Sequence, residues 1–183
     1  IGAMLHFAKS FDRFIAQSQE RKWERIWLDE LSGRNLLVIG MGAVGSAVAE
    51  RARALGMEVQ GVARSGRTDT DGRVIHSFVD LYGLLSDADY VVVTVPLTEQ
   101  TRHLVGESFF TNLKQGAVLV DMSRGGVVSS TALLKALNSG TLRGAALDVF
   151  EAEPLPTDSE FWNRANVLLT PHVAGTTPLY TER

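Results

Sequence analysis

The chain has 183 residues, 45% of them hydrophobic, and a formal net charge of −3, enough apolar material for a sizeable core in one soluble globular domain. A mildly acidic balance without clustered Lys and Arg argues against a nucleic-acid or anionic-membrane surface, and no apolar stretch approaches the ~20 residues that span a bilayer. With no cysteine, disulfides, thiolate catalysis and Cys-ligated metals are excluded, which fits a reducing cytoplasm.

From Ile1 to about Gln19, apolar residues at Ile1, Met4, Leu5, Ala8, Phe11 and Ile15 predict one long helix with a broad apolar stripe. The first residue is not Met and no helix-start signal precedes the stripe, so the sequence reads as a piece of a longer chain. The stripe precedes the rest of the fold, and part of it is free to pack on a second subunit. Trp23 and Trp27, one helical turn apart, are expected against the domain's edge. Ser32-Gly33 then breaks the pattern.

Leu36 to Ile39 reads as a strand that enters the turn Gly40-Met41-Gly42-Ala43-Val44-Gly45 and leaves as a helix over Ser46 to Leu55. This is the shape of a phosphate-binding turn. Gly40 allows a sharp exit from the strand, Gly42 has no Cβ to obstruct a pyrophosphate, and Gly45 lets the helix pack close to the sheet, its N-terminal amides facing the anion. Further strands are expected at Glu58–Ala63, Tyr90–Thr94, Ala117–Asp121, Gly144–Leu147 and Val167–Leu169. Helices are expected at Phe78–Ser86, Glu107–Asn112 and Ser130–Asn138, and Arg64–Arg73 reads as a polar loop. The alternation predicts an α/β fold with a doubly wound parallel sheet, in which ligands sit where loops leave the C-terminal strand ends.

Four of those loops carry candidate chemistry. After Glu58–Ala63, the position where an acid would bind a ribose 2′-hydroxyl holds Ala63, followed by Arg64-Ser65-Gly66-Arg67. Arg64, Ser65 and Arg67 are suited to a 2′-phosphate, favouring NADP over NAD, although a solvated surface loop is the plain alternative. After Ala117–Asp121, the loop Met122-Ser123-Arg124-Gly125-Gly126 presents Arg124, which can grip a carboxylate through paired hydrogen bonds. Ser123 counts with the cofactor contacts. The next loop, Asp148 to Pro154, supplies carboxylates, and Thr170-Pro171-His172 supplies an imidazole. His6, His76 and His103 fall at no such loop end and are read as structural.

Several stretches resemble the D-isomer-specific 2-hydroxyacid dehydrogenases, a family that includes phosphoglycerate dehydrogenase, glyoxylate/hydroxypyruvate reductase and formate dehydrogenase. They are GMGAVGSAVA from residue 40, VVVTVPLTEQTRHLV from 91, VLVDMSRGGVVSSTALLKAL from 118, GAALDVFEAEPLP from 144 and LLTPHVAG from 168. They run in family order over nearly the whole chain. The resemblance implies a Rossmann-like NAD(P)-binding domain in which Arg124 holds the substrate carboxylate, Glu153 partners the histidine and His172 is the acid/base. Asp148 would face the nicotinamide carboxamide, and Val95, Pro96 and Thr101 would flank the adenosine end, with Gly40, Gly42, Ala43, Val44 and Gly45 around the phosphates. The substrate would be a small 2-keto or 2-hydroxy acid. The N-terminal helix would serve a homodimer interface, and the family's substrate-binding domain would lie outside this chain.

Two departures stand out. Ser129-Ser130 occupies a place usually acidic, where Ser still caps a helix well, and Ala63-Arg64-Ser65 looks like the NADP-preferring reductases. Two other readings share the motifs: a non-catalytic dinucleotide-sensing dimerisation module of the same fold, like the C-terminal-binding-protein corepressors, and a Rossmann oxidoreductase for uncharged carbonyls.

Overall fold

The computed structural model describes residues 1–176. Among them, eight strands form one sheet: β1 (Asn35–Ile39), β2 (Glu58–Ala63), β3 (Arg67–Thr68), β4 (Val74–Ser77), β5 (Tyr90–Val93), β6 (Ala117–Asp121), β7 (Leu142–Leu147) and β8 (Val167–Leu169). Their spatial order is β3-β4-β2-β1-β5-β6-β7-β8, all neighbours parallel except β3 against β4. The chain moves outward from β1 to β2, then returns to the other side of β1 with β5. That reversal is the switch point at which an open α/β sheet leaves a ligand crevice.

The two-residue side-chain period of the strands builds two cores. Leu37, Ile39, Val91, Val93 and Leu119 face one side, where helices α5 (Glu107–Asn112) and α6 (Ser130–Asn138) cover them with Phe109, Phe110, Leu133 and Leu137. Leu36, Val38, Tyr90, Val92, Val118 and Val120 face the other. There α1 (Gly2–Lys9) contributes Met4 and Ala8, and α3 (Ala43–Ala54) contributes Val48, Ala49 and Ala52. The predicted helix over Phe78–Ser86 is realised as α4 (Leu81–Leu84) with a 3₁₀ turn on each side. Ser129 caps α6 through the Ala132 amide, and the Ser130 amide donates to the Glu151 carboxylate.

The N-terminal prediction needs two corrections. The single long helix is two helices, because Ser10 sits in the left-handed region at φ 49° and separates α1 from α2 (Phe11–Gln19). The physical reason is that α1 spends its stripe on the sheet, while Phe11 and Ile15 of α2 remain 48% and 58% exposed among the described residues. Nor do Trp23 and Trp27 pack at the domain's edge: both are fully exposed, on a segment with no regular structure. Phe7 does pack closely, lying over Gly144, where a Cβ would stand 2.4 Å from its ring. That contact explains a glycine inside β7, which begins at Leu142, two residues before its predicted start.

The predicted polar loop at Arg64–Arg73 contains β3, and β4 follows it unpredicted. Asp69 accepts the amides of Asp71 and Arg73 and folds the intervening turn, so a short hairpin extends the sheet edge. Its sequence signal is only Ile75 inward and Val74 outward.

Candidate active site

The glycine turn leaves β1 at the switch point. Gly40 sits at φ +104°, a conformation L side chains rarely adopt, and a Cβ on Gly45 would stand 1.9 Å from the Gly40 carbonyl oxygen. Thr94, one residue past β5, donates its hydroxyl to that same oxygen at 2.7 Å and locks the turn to the sheet. Gly42 differs: nothing lies within 4 Å of where its Cβ would be. It opens onto solvent with Ala43 and Val44 at the start of α3, and no side chain caps that end. Uncapped amides, the positive end of the helix dipole and an open cradle fit a pyrophosphate.

Beside the turn lies a cavity of about 460 Å³. Gly40, Gly42, Arg64, Val95, Pro96 and Thr101 line it together with Phe78, Thr98 and Gln100. Thr101 is buried and serves the loop itself, its hydroxyl donating to the Pro96 carbonyl at 2.7 Å and accepting the Thr98 amide at 2.8 Å. Arg64 and Ser65 are exposed, Arg64 at the cavity wall. Arg67 reaches back instead, donating through Nη2 to the Met41 carbonyl at 2.9 Å, which joins the second loop to the glycine turn.

The second group of candidates gathers where β6, β7 and β8 end. Asp121, Leu147 and Leu169 stand in register across these neighbouring strands, so the loops that follow leave side by side. His172 Nδ1 and Glu153 Oε2 are 2.8 Å apart. The other Glu153 oxygen accepts the Phe150 amide at 2.9 Å. The His172 hydrogen bond is the main cause holding the Glu153 carboxyl below the usual carboxylate range, with the Phe150 amide assisting against some desolvation. Arg124 is exposed on the adjoining loop and hydrogen-bonds neither partner, its Nη1 donating to the Ser123 carbonyl at 2.7 Å. Its loop nonetheless rests on theirs: a Cβ on Gly125 would stand 1.9 Å from the Phe150 carbonyl oxygen.

Beneath this rim are two buried carboxylates. Asp148 is 4% exposed and accepts the Thr170 hydroxyl and the amides of Val173 and Ala174. Asp121 is 2% exposed and accepts both the amide and the hydroxyl of Ser123 on one oxygen, so Ser123 is itself buried and engaged within the chain. Burial pushes the Asp121 carboxyl up to about 6, the nearby Asp148 charge adding to it and the Ser123 hydrogen bonds opposing. The sequence reading missed Asp121, Thr94 and Thr170. Thr94 and Thr170 each stand one residue beyond a strand, a signal that was there to be read; the burial of Asp121 had none. A further cavity of about 620 Å³ adjoins His172 and Glu153, walled by Phe150, Leu155, Trp162 and Leu169. Among the described residues no cluster of His, Asp or Glu is arranged to hold a metal ion, and no helix is long and apolar enough to cross a membrane.

Comparison with known proteins bears on this geometry. Residues 1–174 match the model of the D-isomer specific 2-hydroxyacid dehydrogenase, NAD binding domain. A glyoxylate reductase of Korarchaeum cryptofilum is 41% identical over 169 residues, covering 89% of this chain and 50% of the relative. A glyoxylate/hydroxypyruvate reductase B of Erwinia tasmaniensis is 36% identical over 184 residues, 95% of this chain and 57% of its own length. The chain thus spans about half the length of these curated relatives. Among solved structures, phosphoglycerate dehydrogenase from Lactobacillus plantarum superposes with a TM-score of 0.92 at 36% identity, covering 99% of this chain and 59% of that one. An NADPH-dependent glyoxylate/hydroxypyruvate reductase from Sinorhizobium meliloti gives 0.89 at 32%, covering 98% and 71%. With its glycine turn at the switch point and its Glu–His pair at the neighbouring strand ends, the chain belongs to the D-isomer-specific 2-hydroxyacid dehydrogenase family, of which it forms the NAD(P)-binding domain.

Proposed function

We propose that this domain is the coenzyme-binding half of an NADP-preferring 2-keto acid reductase of the glyoxylate or hydroxypyruvate type, its substrate-binding domain lying outside these residues. The observation that carries the reading is the 2.8 Å contact of Glu153 and His172 on loops leaving the same sheet edge as the glycine turn. The reduced dinucleotide, when bound, supplies a hydride to the substrate's carbonyl carbon. Gly42, Ala43 and Val44 would hold its phosphates by their backbone. Arg64 would meet a 2′-phosphate, with Ala63 in place of the acid that would repel one. His172, its Nδ1 committed to Glu153, has Nε2 left to give a proton to the carbonyl oxygen. Arg124 uses one guanidinium nitrogen on the Ser123 carbonyl and keeps donors for the substrate carboxylate and the charge developing on the reacting oxygen.

The uncovered Phe11, Ile15, Trp23 and Trp27 support a homodimer built through the N-terminal segment, and the composition supports a cytoplasmic setting. The deciding experiment is kinetic, on the two-domain enzyme that carries this domain. Glyoxylate and hydroxypyruvate should be reduced far faster than an uncharged aldehyde of similar size. His172→Ala should lower turnover by about 10²- to 10⁴-fold while NADPH affinity holds. Equal rates on the uncharged aldehyde would remove Arg124 from its role, and unchanged turnover in the variant would remove His172. Cofactor-dependent partner binding without reduction would favour the dimerisation-module reading.

A further inference from the structure

His172 is held in an unusual way. Its backbone sits at φ +54°, in the left-handed region that residues with a Cβ seldom occupy. The imidazole is oriented by Glu153, but that bond fixes the ring and not the backbone turn beneath it. The turn is closed by Asp148, the residue that follows β7. One carboxylate oxygen accepts the Thr170 hydroxyl at 2.5 Å and the Val173 amide at 2.9 Å, and the other accepts the Ala174 amide at 2.9 Å. These donors bracket His172 on both sides in sequence. Backbone bonds also restrain the turn: the Thr170 amide donates to the Leu147 carbonyl at 3.0 Å, the His172 amide to the Thr170 carbonyl at 3.1 Å and the Thr176 amide to the Val173 carbonyl at 2.9 Å, but none of the three fixes Val173 or Ala174 through its own N–H.

We propose that Asp148 is a positioning residue for His172, acting through the backbone turn rather than chiefly through the nicotinamide. The inference rests on the reductase reading above for its catalytic consequence, though not for its structural part. The two carboxylates act at different levels, since Glu153 sets the ring and Asp148 sets the chain that carries it. The chemistry explains why the residue is an acid. Both oxygens must accept, and an amide at this position would turn an N–H donor toward one of the donors Asp148 now receives. Burial at 4% exposure shields these bonds from water. A carboxylate has about four acceptor directions, so one remains for a bound carboxamide without disturbing the other three.

The test is Asp148→Asn, read first by amide hydrogen exchange in the cofactor-free 183-residue chain. Val173 and Ala174 should exchange about 10- to 100-fold faster than in the wild type, the range expected for lost hydrogen bonds to a charged group. Leu119 and Val120 in the buried strand β6 should be unchanged. In the two-domain enzyme, turnover should fall about 100-fold, the scale of a misplaced catalytic group, with NADPH Kd within about threefold of wild type. Thr170→Val should reproduce part of both effects, and Thr170→Ser, which restores the hydroxyl, should recover them. This pair keeps the idea testable should Asp148→Asn fail to fold. Unaltered exchange at Val173 and Ala174 together with lost NADPH affinity would make Asp148 a cofactor contact and overturn the proposal. So would a Thr170→Val protein indistinguishable from wild type in exchange and turnover. Because the exchange measurement needs neither cofactor nor substrate, it stands apart from the reductase reading, which the wild-type enzyme's kinetics on 2-keto acids decide.

Discussion

Asp121 offers a stability experiment whose sign and size both follow from the structure. In the unfolded chain its carboxyl titrates near 3.8; folded, burial raises it to about 6. Between those values the native state binds more protons than the unfolded one, so this group's contribution falls as pH rises through the window and stays low above it. A shift of about two units corresponds to roughly 3 kcal/mol at neutral pH. Asp121→Asn removes the charge while keeping an oxygen to accept the Ser123 amide and hydroxyl, and it can point its N–H₂ toward the Asp148 side. Urea unfolding of both proteins from about pH 4 to 7.5 isolates the effect, because Asp29, Asp69, Glu107 and Glu153, whose folded values are lowered and whose pH dependence has the opposite sign, are common to both. The stability difference should grow in the variant's favour by about 2.4 kcal/mol between pH 4 and 7. A flat difference curve, or one of opposite slope, would refute the reasoning.

Three further outcomes are expected. Gly42→Ala should leave the melting temperature unchanged, since nothing lies near the added Cβ, yet abolish dinucleotide binding, whereas Gly45→Ala should lose stability itself because of the 1.9 Å clash with the Gly40 oxygen; calorimetry and NADPH titration separate the two. Arg64→Ala should weaken NADPH by about 10- to 100-fold, the worth of charge-assisted hydrogen bonds, and leave NADH unaffected; a wild-type chain that already binds NADH more tightly would contradict the 2′-phosphate assignment. Replacing Trp23 and Trp27 together by Ser should shift sedimentation from dimer to monomer while circular dichroism stays unchanged, and a persistent dimer would move the interface elsewhere.

The sheet was legible in the sequence because its signals are local. Runs such as Tyr90–Val93 and Ala117–Asp121 are β-branched or apolar almost throughout, as strands buried on both faces must be, and Gly140 and Ser129 punctuate α6 at its ends. The Glu153–His172 pair was legible only through topology and resemblance, since 19 residues separate them. What stayed hidden depends on contacts no local pattern carries. Ser10 breaks a stripe that continues unbroken on paper, because only its first half, Met4 and Ala8, is buried on the sheet while Phe11 and Ile15 stay exposed. Arg67 looks like Arg64 in sequence, yet one spans to the Met41 carbonyl and the other lines the cavity wall. Ser123 follows a strand as a ligand-binding hydroxyl would, but its O–H donates to the buried carboxylate two residues earlier.

The chain's three tryptophans give it a built-in optical gauge. In the single chain Trp23 and Trp27 are uncovered, so their emission reports on the proposed dimer contact, whereas Trp162 is half covered, its ring nitrogen tied to the Pro156 carbonyl at 2.8 Å on the wall of the hollow beside His172. Substituting the outer two with phenylalanine leaves a lone tryptophan there, so any closure over the rim at His172 would register as a blue shift, in real time and without a label.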